Sequence, residues 1–282
     1  MNIQIAGAGL WTRGLTCFDD LQSLCAQPDA VLDVPFVNPK PEAITAKERR
    51  RAGLMINLAV EVAHQACEHA GIDKQLPPSV FVSAMGDTVI TDYMCRKLAA
   101  PEKLLSPTKF HNSVHNAPSG YWTISAGNRA PSSFVGGFVQ SFGAGLLEAA
   151  SQCLDHQQPV LMVAYDIANA MPFGDIEPVA ESLGIALLVA PSELDLVAFA
   201  APAATAQIAP CAAQLEYVVQ TEVVETVPRH AALAELARAN PVGGGLAVLE
   251  ALAQQPQTAQ TIALAAAPNA TLQITLSAGA QL

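Results

Sequence analysis

The sequence contains few charged and few aromatic residues for a chain of 282 residues. Charged residues account for 14% of the chain and aromatic residues for 5%, whereas apolar residues account for 51%. Asp and Glu number 25 against 14 Lys and Arg, which gives a net charge of −11. An acidic chain of this kind is poorly suited to bind nucleic acids or anionic membranes. The apolar composition predicts either a large buried core or a surface that another subunit covers.

Long apolar runs and paired cysteines are also lacking. The most apolar stretch, residues 183–213, is interrupted by acidic residues and prolines, so we expect no membrane span. The N-terminus shows no basic and then apolar leader, which predicts a cytoplasmic protein. Because no CxxC spacing occurs, we interpret the cysteines as free and mostly buried thiols. The six are Cys17, Cys25, Cys67, Cys95, Cys153 and Cys211.

Two patterns that suggest a cofactor or a metal are incomplete. Gly7 and Gly9 open a run similar to GxGxxG, but Thr12 stands where a dinucleotide-binding loop needs its third glycine. His111 and His115 have the spacing of a zinc-binding helix, yet no Glu follows His111 and no third ligand is evident. We therefore predict neither a cofactor nor a metal, and assign these residues to turns, capping and packing.

The most informative stretch covers residues 110–150. Its pattern predicts a helix capped by Asn112 or Ser113, a short strand over residues 132–135, a Gly-Gly turn and a second helix. We call the turn, residues 136–141, the elbow. A strand that passes through glycines into a helix N-terminus commonly holds a nucleophile, because the helix dipole lowers the pKa of a thiol there. The elbow contains no cysteine, so the stretch predicts the frame of a catalytic site without its thiol.

The same stretch resembles the nucleophile region of β-ketoacyl synthases, in which Gly-Pro-Ser and a short strand lead to a catalytic cysteine. When the RAPS run at residues 129–132 is placed on that pattern, Val139 takes the position of the cysteine. The runs SVHNAPSG, GNRAPSS and SFGAGLLEA are similar to a short branch of the superfamily. That branch comprises the ketosynthase-like chain length factors of aryl polyene and related polyketide synthases. The similarity is strong over residues 1–190 and faint beyond.

Alternation of strands and helices along the chain favours an α/β layered fold. The resemblance implies a more specific architecture, a thiolase-like α-β-α-β-α fold in which two halves of similar topology pair. We expect residues 1–190 to form the ketosynthase-like N-terminal half that carries the elbow. Residues 191–282 are expected to form a shortened C-terminal half of the same domain.

The chemistry of the family requires groups that this chain lacks. A decarboxylating condensation needs a thiolate to carry the acyl chain and two histidines to assist decarboxylation and stabilise the oxyanion. In the family both histidines come from the second half, but here only His230 follows His156. An alternative is a malonyl decarboxylase or weak acyltransferase that uses Gln140 or Ser141. In the register above, Gln140 falls one residue late, and no His–carboxylate pair is placed to activate Ser141.

The resemblance therefore implies a non-catalytic subunit that forms a heterodimer with a full-length ketosynthase and shapes its acyl tunnel. An acyl carrier protein would be reached mainly through the partner. In the superfamily the strand before the nucleophile pairs with its counterpart across the dimer axis. The interface candidates are Ser132, Ser133, Phe134 and Val135.

Two segments before the elbow, residues 87–96 and 108–113, match family segments that approach the acyl tunnel of the partner. Their bulky side chains, Tyr93, Met94 and Phe110, are the gate candidates. An alternative for each is that it fills the core of its own subunit.

A basic cluster precedes these segments. Thr45 and Glu48 form a capping box that predicts the start of a long helix, and Lys47 and residues 49–51 place positive charge in its first turns. This cluster is either a solvated helix face or a contact with a partner.

Overall fold

The computed structural model describes residues 1–169, 179–202, 210–220, 222–255 and 258–277. The run Met-Pro-Phe-Gly at residues 171–174 predicts a turn, and it lies outside these ranges. In the described part of the chain, no helix combines the length and the apolar character needed to cross a membrane.

Strands and helices alternate as predicted. The strands are β1 (Asn2–Trp11), β2 (Ser79–Val82), β3 (Ser132–Val135), β4 (Val160–Asp166), β5 (Leu183–Pro191), β6 (Cys211–Val219), β7 (Gln260–Ala267) and β8 (Ala270–Ser277). The helices are α1 (Phe18–Cys25), α2 (Ala46–Ala70), α3 (Thr88–Ala99), α4 (Pro107–Asn112), α5 (Ala117–Ala126), α6 (Ser141–His156), α7 (Ala231–Arg238) and α8 (Gly245–Gln254). Short 3₁₀ helices cover Phe138–Gln140 and Leu196–Phe199.

The described strands form one eight-stranded sheet in the order β3-β2-β4-β5-β1-β6-β8-β7. β2 pairs in parallel with both β3 and β4, whereas β5 is antiparallel to β4 and to β1. β4 and β5 are buried along their whole length, as their continuous apolar runs require. The first residues of β1 also pair with β6, so this strand joins the three C-terminal strands to the first five.

Helices lie on both faces of the first five strands. α2 and α5 pack on one face, and α6 packs on the other against β2, β4 and β5. α6 also packs against β7 and β8, so it lies between the two parts of the sheet. Its glycines permit this approach, because a Cβ on Gly143 would lie 2.2 Å from the Ala265 carbonyl oxygen. The predicted α/β layered fold is confirmed, and the part of the chain after residue 191 supplies three of the eight described strands.

The helix before β3 differs from its prediction. Asn112 does not cap it. This residue ends α4 and donates from Nδ2 to the carbonyl oxygen of Arg51. α5 begins only at Ala117, with Pro118 in its first turn, where a missing N–H costs no helical hydrogen bond. Ser113 does not cap it either, since it follows the end of α4. The helix that ends at Gly127 is confirmed, but it starts later than predicted, because Asn112 connects α4 to α2 instead of capping a helix.

The long helix α2 starts as predicted but is interrupted. The side chain of Thr45 accepts a hydrogen bond from the backbone N–H of Glu48, which confirms the N-cap. Gly53 then adopts φ +78° and ψ 175° inside the helix. Such a conformation is open to glycine and unfavourable for other residues, so Gly53 kinks α2 directly after its basic first turns.

Candidate functional site

Three strand ends define the candidate site. β3, β2 and β4 run parallel and adjacent, so their carboxyl ends lie at the same edge of the sheet. The elbow follows β3, the loop to α3 follows β2, and Asp166 ends β4. Ligands of open α/β sheets usually bind beyond this edge.

The elbow is a closed and well-connected turn. The N–H of Gln140 donates to the carbonyl oxygen of Gly137 at 2.9 Å. The N–H of Gly137 donates to the Ser141 hydroxyl, also at 2.9 Å. A single 3₁₀ turn, Phe138–Gln140, therefore links the end of β3 to the first residue of α6.

The side chains at the tip of the elbow are hydrocarbon and face outward. Val139 has 46% of its surface exposed and Phe138 has 56%. Phe138 also adopts φ +49°, in the left-handed region that residues other than glycine seldom enter. Neither side chain can form a thioester, so the tip of this elbow cannot carry an acyl chain covalently.

The two polar residues of the elbow have different environments. Ser141 is completely buried and its hydroxyl accepts the Gly137 N–H. Gln140 is the N-cap residue of α6, and its side chain caps no N–H of the helix. Ser141 therefore closes the turn, whereas the half-buried amide of Gln140 is not used by the cap.

A polar network that sequence reasoning missed lies beside the elbow. Ser83 donates to Asp166 Oδ1 at 2.7 Å, and the N–H of Ala84 donates to Asp166 Oδ2 at 2.9 Å. The N–H of Gly86 donates to the Ser83 hydroxyl at 2.9 Å. The network joins the ends of β2 and β4 and holds the loop that leads to α3. The sequence signal that could have revealed this network is a polar residue directly after each of two apolar strand patterns, namely Ser83 and Asp166.

The start of α3 is held by a partly desolvated carboxylate. Asp87 Oδ1 accepts the N–H of Ile90 at 2.8 Å. Burial raises the pKa of Asp87, although the N–H groups of Ile90 and Val89 act in the opposite direction. Asp87 therefore fixes the orientation of the helix that carries two of the gate candidates.

The gate candidates occupy different environments. Tyr93 is half-buried, its hydroxyl accepts the N–H of Ser106 at 3.0 Å, and Lys109 Nζ lies 4.0 Å from the centre of its ring. Met94, next to it on α3, is also half-buried. Phe110 has 59% of its surface exposed, so the alternative that it fills the core of this subunit is wrong. For the other two candidates that alternative stays open.

The interface candidates form the terminal strand of the described sheet. Ser133 accepts a hydrogen bond from Gln152 of α6, and Val135 packs against the same core as that helix. Phe134 faces the opposite side, with its ring centre 6.0 Å from that of Phe81. Phe134 is therefore part of the core of its own subunit as well as a residue of the edge strand.

His230 does not belong to this site. It is buried between α1 and α8, where its ring Nε2 lies 3.1 Å from the Gln27 carbonyl oxygen. Its backbone N–H donates to Glu250 Oε1 at 2.7 Å. Nearer the elbow, His115 lies beside Phe134, with ring centres 6.3 Å apart. His111 is in α4 whereas His115 follows that helix, so the two do not share a helical face.

The basic cluster is only partly free. Arg49 donates to the carbonyl oxygens of Lys40 and Pro41 at 3.1 and 2.8 Å, so it holds the loop before α2. Lys47, Arg50 and Arg51 are exposed. The three exposed residues are therefore free to contact a partner, whereas a contact through Arg49 would disturb the loop before α2.

Fold and elbow together define a ketosynthase-type protein within the thiolase-like α/β class. The family model for the beta-ketoacyl synthase N-terminal domain matches residues 25–240. This match covers well over half of the chain, which therefore belongs to the β-ketoacyl synthase family. It also extends past residue 190, where the sequence resemblance becomes faint. No curated protein sequence matches the chain.

Solved structures with the same fold include chains of ketosynthase complexes. One is a chain of the complex between a ketosynthase, ApeO, and its chain length factor, ApeC, from Xenorhabdus doucetiae. Its TM-score is 0.70 and its identity 18%, and the match covers 98% of this chain and 99% of that chain. Another belongs to the ishigamide ketosynthase/chain length factor, with TM-score 0.67, 15% identity and coverage of 99% and 100%. A third is a chain of the AntDE:AntF complex, in which a type II acyl carrier protein is bound to its ketosynthase with the hexaketide. Its TM-score is 0.72 and its identity 11%, with coverage of 98% and 99%. At these identities the likeness establishes the fold.

Proposed function

We propose that this chain is a non-catalytic chain length factor of an aryl polyene type polyketide synthase. It would pair with a full-length ketosynthase and shape the acyl tunnel of that partner. The observation that carries the proposal is the elbow itself. Its backbone turn is intact and buried Ser141 is engaged in it, while the position that the resemblance assigns to the catalytic cysteine is held by exposed Val139.

The position of β3 at the edge of the described sheet supports the pairing. The carbonyl oxygens of Pro131 and Val135 accept the N–H groups of Ser79, which begins β2, and of Ser83, which follows β2 directly. Because backbone groups alternate in direction along a strand, the N–H and C=O groups of Ser132 and Phe134 point away from β2. A second subunit that adds a strand at β3 would satisfy them, and an uncovered edge would favour aggregation.

The proposal also divides the chain into two halves of one thiolase-like domain. Residues 1–190 would form the ketosynthase-like half that contributes the interface and the gate, and residues 191–282 would form the reduced second half. We place the complex in the cytoplasm and assign docking of the acyl carrier protein mainly to the partner.

Co-expression with a full-length ketosynthase, sought among the products of the genes that flank this one, tests the function. We expect a stable heterodimer whose product length differs from that of the ketosynthase alone. Incubation of this chain alone with acyl- and malonyl-carrier protein should leave its mass unchanged. A well-behaved monomer that never binds a ketosynthase, or a covalent acyl adduct on this chain, would contradict the proposal.

One observation favours a second candidate function, malonyl decarboxylation. Gln140 immediately precedes α6, and its amide caps no N–H of that helix, so it is available to polarise a thioester carbonyl. The test is CO₂ release from malonyl-carrier protein by a heterodimer whose ketosynthase cysteine has been alkylated. Release that is lost in Gln140→Ala and kept in Gln157→Ala, an exposed glutamine at the other end of α6, would favour this candidate.

A further inference from the structure

Phe138 combines two unfavourable features. Its φ of +49° places a bulky aromatic residue in a backbone conformation suited to glycine. Its ring is nevertheless 56% exposed, so burial within the chain does not offset the strain. Residues held in such conformations cluster at functional sites and contact points, which makes Phe138 a candidate for a role outside its own subunit.

The base that holds Phe138 is rigid. The hydrogen bonds of the Gly137 N–H to Ser141 and of the Gln140 N–H to the Gly137 carbonyl close the turn on both sides of the ring. The following helix cannot shift toward β7, because Gly143 already lies against the Ala265 carbonyl oxygen. A backbone fixed in this way loses little conformational freedom on binding, which is typical of the base of an interface anchor.

The surroundings of Phe138 indicate which kind of partner it contacts. It follows the open edge of β3 directly, and exposed Val139 extends the apolar surface beside it. An edge strand next to an apolar anchor suits a partner that adds a strand and receives the anchor in an apolar recess. A second copy of this chain fits less well, because each copy carries a net charge of −11.

We infer that Phe138 is an anchor residue that inserts into an apolar recess of the ketosynthase subunit whose strand pairs with β3. The inference rests on the proposed function and adds to it a specific role for the elbow. An elbow that holds an acyl chain in active ketosynthases would serve here as a projecting contact toward the partner.

Two substitutions of Phe138 separate the anchor from a role in folding. Phe138→Asn removes the apolar ring but keeps a residue that tolerates a left-handed conformation. Phe138→Gly removes both the ring and the strain. Because hot-spot residues dominate interface affinity, each variant should raise the Kd for the ketosynthase by at least about 30-fold. The melting temperature of the variant chain alone should be equal to or above that of the wild type, since neither change opens a cavity.

Mass photometry over a dilution series of the complex with the ketosynthase partner measures the Kd. Differential scanning fluorimetry of each chain alone measures its melting temperature. Val31→Ala is the control, because Val31 is 81% exposed and lies beside α7 rather than β3. An unchanged Kd for both Phe138 variants overturns the inference while the chain length factor role survives. Absence of a wild-type complex overturns the proposed function itself. A wild-type homodimer that Phe138→Asn dissociates would show that a second copy is the true partner.

Discussion

The Ser141 hydroxyl accepts a hydrogen bond from the backbone N–H of Gly137 at 2.9 Å, across the full width of the elbow. Ser141 is completely buried, so water cannot replace it as the acceptor. This one contact makes the serine at the start of α6 a residue of the turn rather than a nucleophile. It also explains how the elbow keeps its shape without a catalytic side chain.

Ser141→Ala should therefore destabilise the fold. A Gly137 N–H left without an acceptor should lower the free energy of unfolding by about 1–3 kcal/mol. Urea unfolding, followed by circular dichroism, measures the change. Ser151→Ala on the same helix is the control, because its exposed hydroxyl bonds only the Leu147 carbonyl within the helix, and it should change stability by about 0.5 kcal/mol or less. A fully stable Ser141→Ala protein that had lost a chemical activity would argue for a nucleophile instead.

The thiols should differ sharply in reactivity. Burial raises the pKa of Cys67 to about 12 and the pKa of Cys153 to about 12, whereas Cys95 is exposed on α3. Since the thiolate is the reactive form, iodoacetamide at about pH 8 should label Cys95 in the native protein. Cys67 and Cys153 should be labelled only in denaturant, as seen by peptide mass spectrometry. Rapid labelling of Cys153 in the native protein would contradict this prediction, because it would show that reagent reaches the core packed against α6.

Phe110→Ala should lengthen the product without weakening the fold. Because the ring is 59% exposed, its removal leaves no internal cavity, and removal of a tunnel gate admits further extension units. Phe81→Ala is the contrasting variant, since this buried ring should cost about 3–5 kcal/mol of stability. Product length is read by mass spectrometry of the reconstituted complex. A stable Phe110→Ala complex with products of unchanged length would exclude this residue as the gate.

Charge reversal in the basic cluster should have little effect on turnover. At a net charge of −11, this chain repels an acidic carrier protein at long range, so docking falls to the partner. Arg50→Glu and Arg51→Glu are suitable variants, because both residues are exposed. Arg49 is avoided, since its guanidinium holds the loop before α2. Turnover of the complex should be compared at low ionic strength, where screening is weakest, and a large loss would move the docking site to this chain.

Acidification should destabilise the protein through His69. Burial lowers the pKa of this histidine, which packs on Phe18 and whose Nδ1 lies 3.2 Å from the Ala8 nitrogen. The unfolded chain therefore binds a proton more readily than the folded chain. Stability from this group is complete above the unfolded pKa of about 6.5 and is lost as the pH falls below it. His69→Asn should flatten the decline of the unfolding free energy between about pH 7 and about pH 5, whereas His156→Asn, at an exposed position, should leave it unchanged.

Much of the architecture follows from local sequence features. Continuous apolar runs predict the buried strands β4 and β5, because only a strand covered on both faces requires apolar side chains at every position. Two helix ends also follow from nearby residues: Gly127 ends α5 in the left-handed conformation, and Thr45 caps the start of α2. The elbow could also be predicted, because a strand, two glycines and a helix are adjacent in the chain. Its lack of a cysteine is visible in the sequence without any structure.

Features that depend on distant residues could not be predicted in this way. The Ser83–Asp166 hydrogen bond joins residues 83 positions apart, and the use of Asn112 to bond α2 rather than cap a helix depends on a neighbour 61 positions away. The left-handed φ of Phe138 follows from the fixed ends of β3 and α6, although nothing in its own side chain favours that conformation.

By itself, the sequence determined which chemistry is absent: the elbow holds no thiol, and one histidine follows residue 156. Only the tertiary structure decided which apolar residues are covered. It placed β3 at the end of the described sheet and left Phe110 and Phe138 exposed. The physical reason is that residue identity limits the reactions a side chain can perform, whereas exposure depends on which strands and helices pack against it from elsewhere in the chain.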